Sequence, residues 1–150
     1  MSLDNDILSS KFRNEYHKAM VNIIFTNNWI MERNKEIFDR GDITPQQYNI
    51  LRILRGANAP LSTMQIRQRM LDKMSDTSRI VDRLLKKELV KKIVCAADKR
   101  LVDVTITPKG LALLKELDKY NNEMDCLLNK ISEEEVSILN QLLDKIRNAE

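Results

Sequence analysis

Apolar residues recur at every third or fourth position through most of this chain, and only between about residues 90 and 106 does the repeat shorten to two. From Asp6 to about Arg40 the series Leu8, Phe12, Tyr16, Met20, Ile23, Ile24, Ile30 and Phe38 predicts one long amphipathic helix ending near Gly41. Thr44-Pro45-Gln46-Gln47 then has the form of a helix start: a hydroxyl cap, proline at the first helical position and glutamine three residues after the cap. Tyr48, Leu51 and Leu54 supply the inner stripe of this second helix, which stops around Gly56. Ala59-Pro60-Leu61 reads as a short extended link, and Ser62-Thr63-Met64-Gln65 opens a third helix running to about Asp72.

After a turn of about three residues, Ser75 serves as the expected cap of a helix over 76 to 88, with Thr77, Ile80, Val81, Leu84 and Leu85 inward and Asp76, Arg79, Asp82, Arg83, Lys86 and Lys87 outward. Two short helices so joined make a helix-turn-helix. Ile93 and Cys95, then Val102, Val104 and Ile106, alternate as the strands of a β-hairpin with a charged tip, Asp98-Lys99-Arg100. Thr107-Pro108 caps a long helix reaching about Lys130, and Ser132-Glu133-Glu134-Glu135 opens a terminal helix with Leu139, Leu142, Leu143 and Ile146 inside.

The expected order is α-α-α-α-β-β-α-α: a mainly α fold with a small β-hairpin wing, in which a winged helix-turn-helix lobe over 44–109 is flanked by terminal helices over 1–40 and 110–150, all within one domain of 150 residues. A helix of thirty or so residues spans about 45 Å, more than a lobe this small covers. A second copy of the chain is the simplest partner for the surplus stripe, so the expectation is a homodimer formed through the two ends.

Composition agrees with an ordered, helix-rich protein: 43% of residues are apolar, with only three Gly and three Pro. No uninterrupted apolar run exceeds five residues and the first ten lack a signal-peptide pattern, so a cytoplasmic protein without a membrane span is expected. Cys95 and Cys126 are too few and too isolated for a disulfide framework or a metal cluster. The net charge of +3 is small, but its distribution is informative. Residues 67–109 hold twelve Lys/Arg against six Asp/Glu, whereas 110–150 hold five against nine. One segment is suited to face a polyanion.

The residues from Ser75 to Val90 resemble the recognition helix and wing entry of the multiple-antibiotic-resistance regulator (MarR) family. Asp98-Lys99-Arg100 followed by Val104-Thr105-Ile106-Thr107-Pro108-Lys109-Gly110 is similar to that family's wing tip and its exit into the next helix. The resemblance spans nearly the whole chain and implies a dimeric regulator of transcription, a repressor by preference, that binds double-stranded DNA at a pseudo-palindromic operator and is released by a small molecule. Two positions depart from the family pattern. Glu88 stands in place of the usual glycine, which puts a left-handed helix cap in doubt, and Ile106 replaces leucine.

A recognition helix needs short polar side chains near its amino end and long cations within reach of phosphates. Ser75, Thr77, Ser78, Arg79, Arg83 and Lys86 are the candidates, with Arg79 foremost. Lys99 and Arg100 at the wing tip suit a minor groove, with Asp98 orienting the arginine. Ser62, Thr63, Gln65 and Lys73 are second-rank candidates, beside Arg67 and Arg69. Acidic Asp82 is placed to orient a neighbouring cation rather than a base. The bland alternative is a merely solvated helix face on a winged-helix module that binds protein.

Enzymatic signatures are absent: there is a single histidine, His17, no GxSxG, no glycine-rich phosphate loop and no HExxH, and no catalytic residue, metal site or cofactor is expected. The resemblance implies an aromatic or anionic effector in a cleft between the dimerisation helices and the lobe, for which Tyr16, Met20, Trp29 and Tyr48 are candidates, each equally explained as packing.

Overall fold

The computed structural model describes residues 11–94 and 102–148. Helix α1, Glu15–Arg40, begins where Asn14 is fully extended and its side-chain oxygen accepts the His17 N–H at 2.9 Å. The cap interrupts the run expected from Asp6; residues 6–10 of that run lie outside the described residues. At about 39 Å, α1 is far longer than its contact with the rest of the chain. Only Ile37 and Phe38, at its carboxyl end, are buried.

Helix α2, Pro45–Arg55, is the hub of the core. Thr44 Oγ1 accepts the Gln47 N–H at 3.2 Å and Gln47 Oε1 accepts the Thr44 N–H at 3.1 Å, closing the expected capping box. Ile50 and Leu51 are wholly buried, and the helix packs against α1, the three helices that follow it in the core and the strand ending at Ile106. Burying each such side chain contributes about 1.5–3 kcal/mol. The approach of α1 to this core runs past Gly41, where a Cβ would sit only 3.2 Å from Leu117 Cδ1.

The expected link at 59–61 is a strand. β1, Leu61–Ser62, pairs antiparallel with β3, Val102–Ile106, which pairs in turn with β2, Val90–Val94, giving a three-stranded sheet in the order β1-β3-β2 in place of a two-stranded hairpin. Wholly buried Val104, opposite Leu61 and Lys92, is its inner anchor. The buried residue of β2 is Val90, and Ile93 is exposed.

Helix α3, Thr63–Arg69, stops three residues earlier than expected, because Met70 takes an extended backbone that carries its side chain into the core. The turn that follows is accordingly longer, from 70 to 76. Helix α4, Thr77–Lys86, is capped by Asp76, whose carboxylate accepts the Arg79 N–H at 3.1 Å, not by Ser75.

At the far end of α4 the doubtful position resolves in favour of a left-handed cap. Glu88 sits at φ 61°, its N–H bonds the Leu85 carbonyl at 2.9 Å, and the Leu89 N–H reaches back to the Leu84 carbonyl at 3.0 Å. These are the paired bonds of a Schellman turn, made here without glycine.

Helix α5, Pro108–Leu117, does not continue to Lys130. It tightens into a 3-10 turn over Asp118–Tyr120, resumes as α6, Asn121–Asp125, and tightens again over Cys126–Leu128. The first break falls where α5 leaves the core, and side chains from other helices hold it. Arg55 Nη1 and Nη2 donate to Asp118 Oδ2 and Oδ1 at 2.6 and 3.2 Å, and the Arg40 guanidinium lies 4.5 Å from the Tyr120 ring centroid. Helix α7, Glu133–Arg147, has the expected capping box between Ser132 and Glu135 but buries nothing: Leu139, Leu142 and Ile146 are exposed.

Two outcomes follow. The hydrogen bonds from Arg55 hold the Asp118 carboxyl below its ordinary pKa, so their stabilisation is complete above the unfolded value near 4 and is lost as pH falls through the lower folded value. Asp118→Asn is expected to cost about 1 kcal/mol at neutral pH, screened because the pair is a third exposed. In denaturant titrations its deficit against wild type should shrink as the pH falls below about 4. Glu88→Gly is expected to stabilise the chain by roughly 0.5–1 kcal/mol, since it relieves a left-handed side chain and a negative charge at a helix carboxyl end, and forfeits only an exposed ion pair with Lys109. A thermal melt checks it.

Candidate nucleic-acid interface

Helix α4 divides cleanly into two faces. Thr77, Val81 and Leu84 are buried and Ile80 and Leu85 half-buried, while Ser78, Arg79, Asp82, Arg83 and Lys86 are exposed along the opposite side. Arg79 and Arg83 therefore stand one turn apart on the outer face, and neither they nor Lys86 form an ion pair with another described residue.

Two of the expected contact residues are reassigned. Thr77 is 3% exposed, on the inner side that the periodicity gave it, and its hydroxyl has no hydrogen-bond partner among the described residues, so it belongs to the core and is not placed to touch a base. Ser75 is half-buried, and its hydroxyl donates to Asp72 Oδ2 at 2.7 Å, bracing the turn. That bond, with the Met74 N–H, holds the Asp72 carboxyl below its ordinary pKa.

The acidic residue on the outer face has a partner that the sequence did not suggest. Asp82 Oδ1 accepts from Lys92 Nζ of β2 at 3.2 Å, tying helix to wing, rather than holding Arg79 or Lys86. Nothing in the spacing of residues 82 and 92 announces this; it needs the sheet in place. Lys87 is turned the other way, onto Asp42 at 2.9 Å. A cleft of about 440 Å³ lies between that turn and the end of α4, its rim formed by Asp39, Asp42 and Gln47 on one side and by Arg83, Lys86 and Lys87 on the other, of which only Lys87 makes the ion pair. It joins segments some forty residues apart, which is why the sequence pattern did not reveal it.

At α3, Ser62 and Gln65 commit Oγ and Oε1 to their own capping box, at 3.2 and 2.9 Å, leaving the Gln65 amide group for outside contacts. Thr63 is half-buried, and Lys73 is exposed with its ammonium on the Gln68 carbonyl. Arg67 and Arg69 are exposed. The wing-tip residues Asp98, Lys99 and Arg100, and Cys95 beside them, lie outside the described residues. They fall between Val94 and Val102, the paired ends of β2 and β3.

One chain does not bring the four effector candidates together. Tyr48 packs on Phe38 with ring centroids 5.0 Å apart, but Tyr16 is 22 residues up α1 from Phe38, about 33 Å away, and is 88% exposed. Met20 is exposed as well, and Trp29 lies under the Arg33 guanidinium at 5.5 Å. Among the described residues no cluster of His, Cys, Asp or Glu comes together as metal ligands, and no helix is long and apolar enough to cross a membrane.

Residues 41–101 match the sequence profile of the MarR family. The HTH-type transcriptional regulator MhqR of Bacillus subtilis (strain 168) is 30% identical over 115 residues, which cover 75% of this chain and 77% of that protein. Among solved structures, a MarR variant from E. coli complexed with operator DNA superposes with a TM-score of 0.79 at 24% identity, over 97% of this chain and 99% of that one. The organohalide-sensing regulator RdhR, in its 2,4-dichlorophenol-bound form, gives a TM-score of 0.82 at 21% identity, over 91% and 81%. At these identities the two structures establish the fold, a winged helix with helical extensions. On the profile, the B. subtilis relative and the shared fold together, this chain belongs to the MarR family.

Proposed function

We propose that two copies of the chain pair through their terminal helices and bind double-stranded DNA as a cytoplasmic transcription regulator, each placing α4 in one of two successive major grooves of a pseudo-palindromic operator. The observation that carries this reading is the outer face of α4, where Ser78, Arg79, Arg83 and Lys86 are exposed on a helix whose opposite side is locked into the core. A solvated helix face needs no such arrangement of adjacent exposed cations, and one that meets phosphates does. That a MarR variant of the same fold was solved in complex with operator DNA supports the reading.

The exposed apolar residues of α1 and α7 support pairing through the ends: among the described residues of one chain nothing covers Tyr16, Met20, Ile23, Ile24, Leu142 and Ile146. A small aromatic or anionic effector then acts by favouring a different spacing of the two lobes, lowering the population able to span both half-sites. RdhR, solved with 2,4-dichlorophenol bound, supports this part of the reading. Because Tyr16 and Tyr48 are so far apart within one chain, a pocket using both draws on two chains. Repression by promoter occupancy is the simplest output.

Arg79→Ala and Arg83→Ala are each expected to weaken operator binding about tenfold without dissociating the dimer, whereas Thr77→Val should leave affinity unchanged and match or exceed wild-type stability, because it removes an unpaired buried hydroxyl. Gel shifts and sedimentation check both. Log affinity should fall with log salt concentration by about 0.9 per phosphate contact, and each arginine that meets a phosphate should reduce that slope by about one when removed. Wild-type affinity in both arginine variants, or no salt dependence, would remove DNA as the partner.

A further inference from the structure

Tyr16, Leu71 and Met74 are the most exposed large apolar side chains among the described residues, at 88, 87 and 93%. Tyr16 lies on α1, where a second copy is available to cover it. Leu71 and Met74 do not: they belong to the turn between α3 and α4, which the pairing of terminal helices leaves free.

We propose that Leu71 and Met74 are base-reading residues that pack on thymine C5-methyl groups in the major groove, at the edge of each half-site entered by the amino end of α4. The inference rests on the DNA-binding reading above.

The turn is ordered, so the exposure of these two side chains is imposed and not a by-product of a loose loop. The Leu71 N–H donates to Asn49 Oδ1 at 2.9 Å, anchoring the turn to α2. Asp72 accepts the Met74 N–H at 3.0 Å and the Ser75 hydroxyl at 2.7 Å, and the Thr77 N–H bonds the Ser75 carbonyl at 3.0 Å. Of the two methionines in this stretch it is Met70, four residues earlier, that enters the core, while Met74 is left outside it. Met74 also stands two residues before Asp76, the cap of the helix, and the amino end of a recognition helix is the part that approaches base edges.

The surrounding charge selects the partner. Both carboxylates of the segment are turned to local use, Asp72 to the turn and Asp76 to the cap, while Arg67, Arg69, Lys73 and Arg79 are exposed around it. Apolar side chains set among cations match a duplex, which presents phosphates along its edges and the thymine methyl as an apolar group in its major groove. Thymine is the one base that offers that group.

The test begins with selection of bound duplexes from a random pool by the full-length dimer. Each thymine of the enriched half-site is then replaced singly by deoxyuridine, which lacks only the methyl, and affinities are measured for wild type, Leu71→Ala and Met74→Ala. At one or two positions wild type should lose three- to fivefold on deoxyuridine, the size expected for one buried methyl. At the matching position the alanine variant should lose about as much on thymine and nothing further on deoxyuridine. Both residues are exposed, so dimer and fold are expected to persist, and sedimentation verifies this. Variants that bind as tightly as wild type, a loss equal on thymine and deoxyuridine duplexes, or a half-site without thymine overturns the contact while leaving DNA binding intact. No enriched sequence overturns DNA binding itself, and the contact with it.

Discussion

The carbonyl oxygen of Leu89 is where the parts of this protein are tied together. It accepts the Thr107 N–H at 3.1 Å, and a Cβ on Gly110 would lie 2.3 Å from it, so the first turn of α5 rests directly on the backbone at the end of α4. Thr107 Oγ1 donates to the Glu88 carbonyl at 2.8 Å while accepting the Gly110 N–H at 3.1 Å. One residue later β2 begins. Helix α4, the sheet and the helix leading to the carboxyl-terminal arm therefore share a junction built from backbone contacts. No residue larger than glycine fits at position 110 without displacing it.

Around that junction, ion pairs brace α4 from two sides. Lys92 holds Asp82 from the sheet, and Asp42 holds Lys87 from the turn after α1. Exposed pairs of this kind contribute about 0–1 kcal/mol each, too little to account for the stability of the lobe. Their value is orientation. By occupying Asp82 and Lys87 at the flanks they leave Arg79, Arg83 and Lys86 as the outward cations, and the face presented to a polyanion is more positive than the composition of the helix suggests.

The terminal helices obey a different constraint. Within one chain α7 buries none of its residues and α1 buries only its last turn before Gly41, yet both carry regular apolar stripes. Such surface is costly in water, and its extent makes the single chain an incomplete unit. The break after Leu117, where the carboxyl-terminal arm leaves the lobe, is held by Asp118 against Arg55 and by Tyr120 against Arg40.

Much of this was legible in the order of residues alone. The capping boxes at Thr44, Ser62 and Ser132 and the cap at Thr107 are local events, in which both partners lie within three residues, so spacing suffices to place them. The two faces of α4 and the surplus stripes of α1 and α7 follow from a period of 3.6. Tertiary structure decided what depends on distant partners. Leu61 became a strand because Val104 lies opposite it, α5 broke because Arg55 holds Asp118 from 63 residues away, and Glu88 took a left-handed cap because Leu89 is needed at that junction. Thr77 faces the core as its periodicity indicated, but Ser75 does not cap α4, because its hydroxyl is taken by Asp72 in a turn that Asn49 of α2 anchors through the Leu71 N–H, a contact across the fold to which local periodicity is blind.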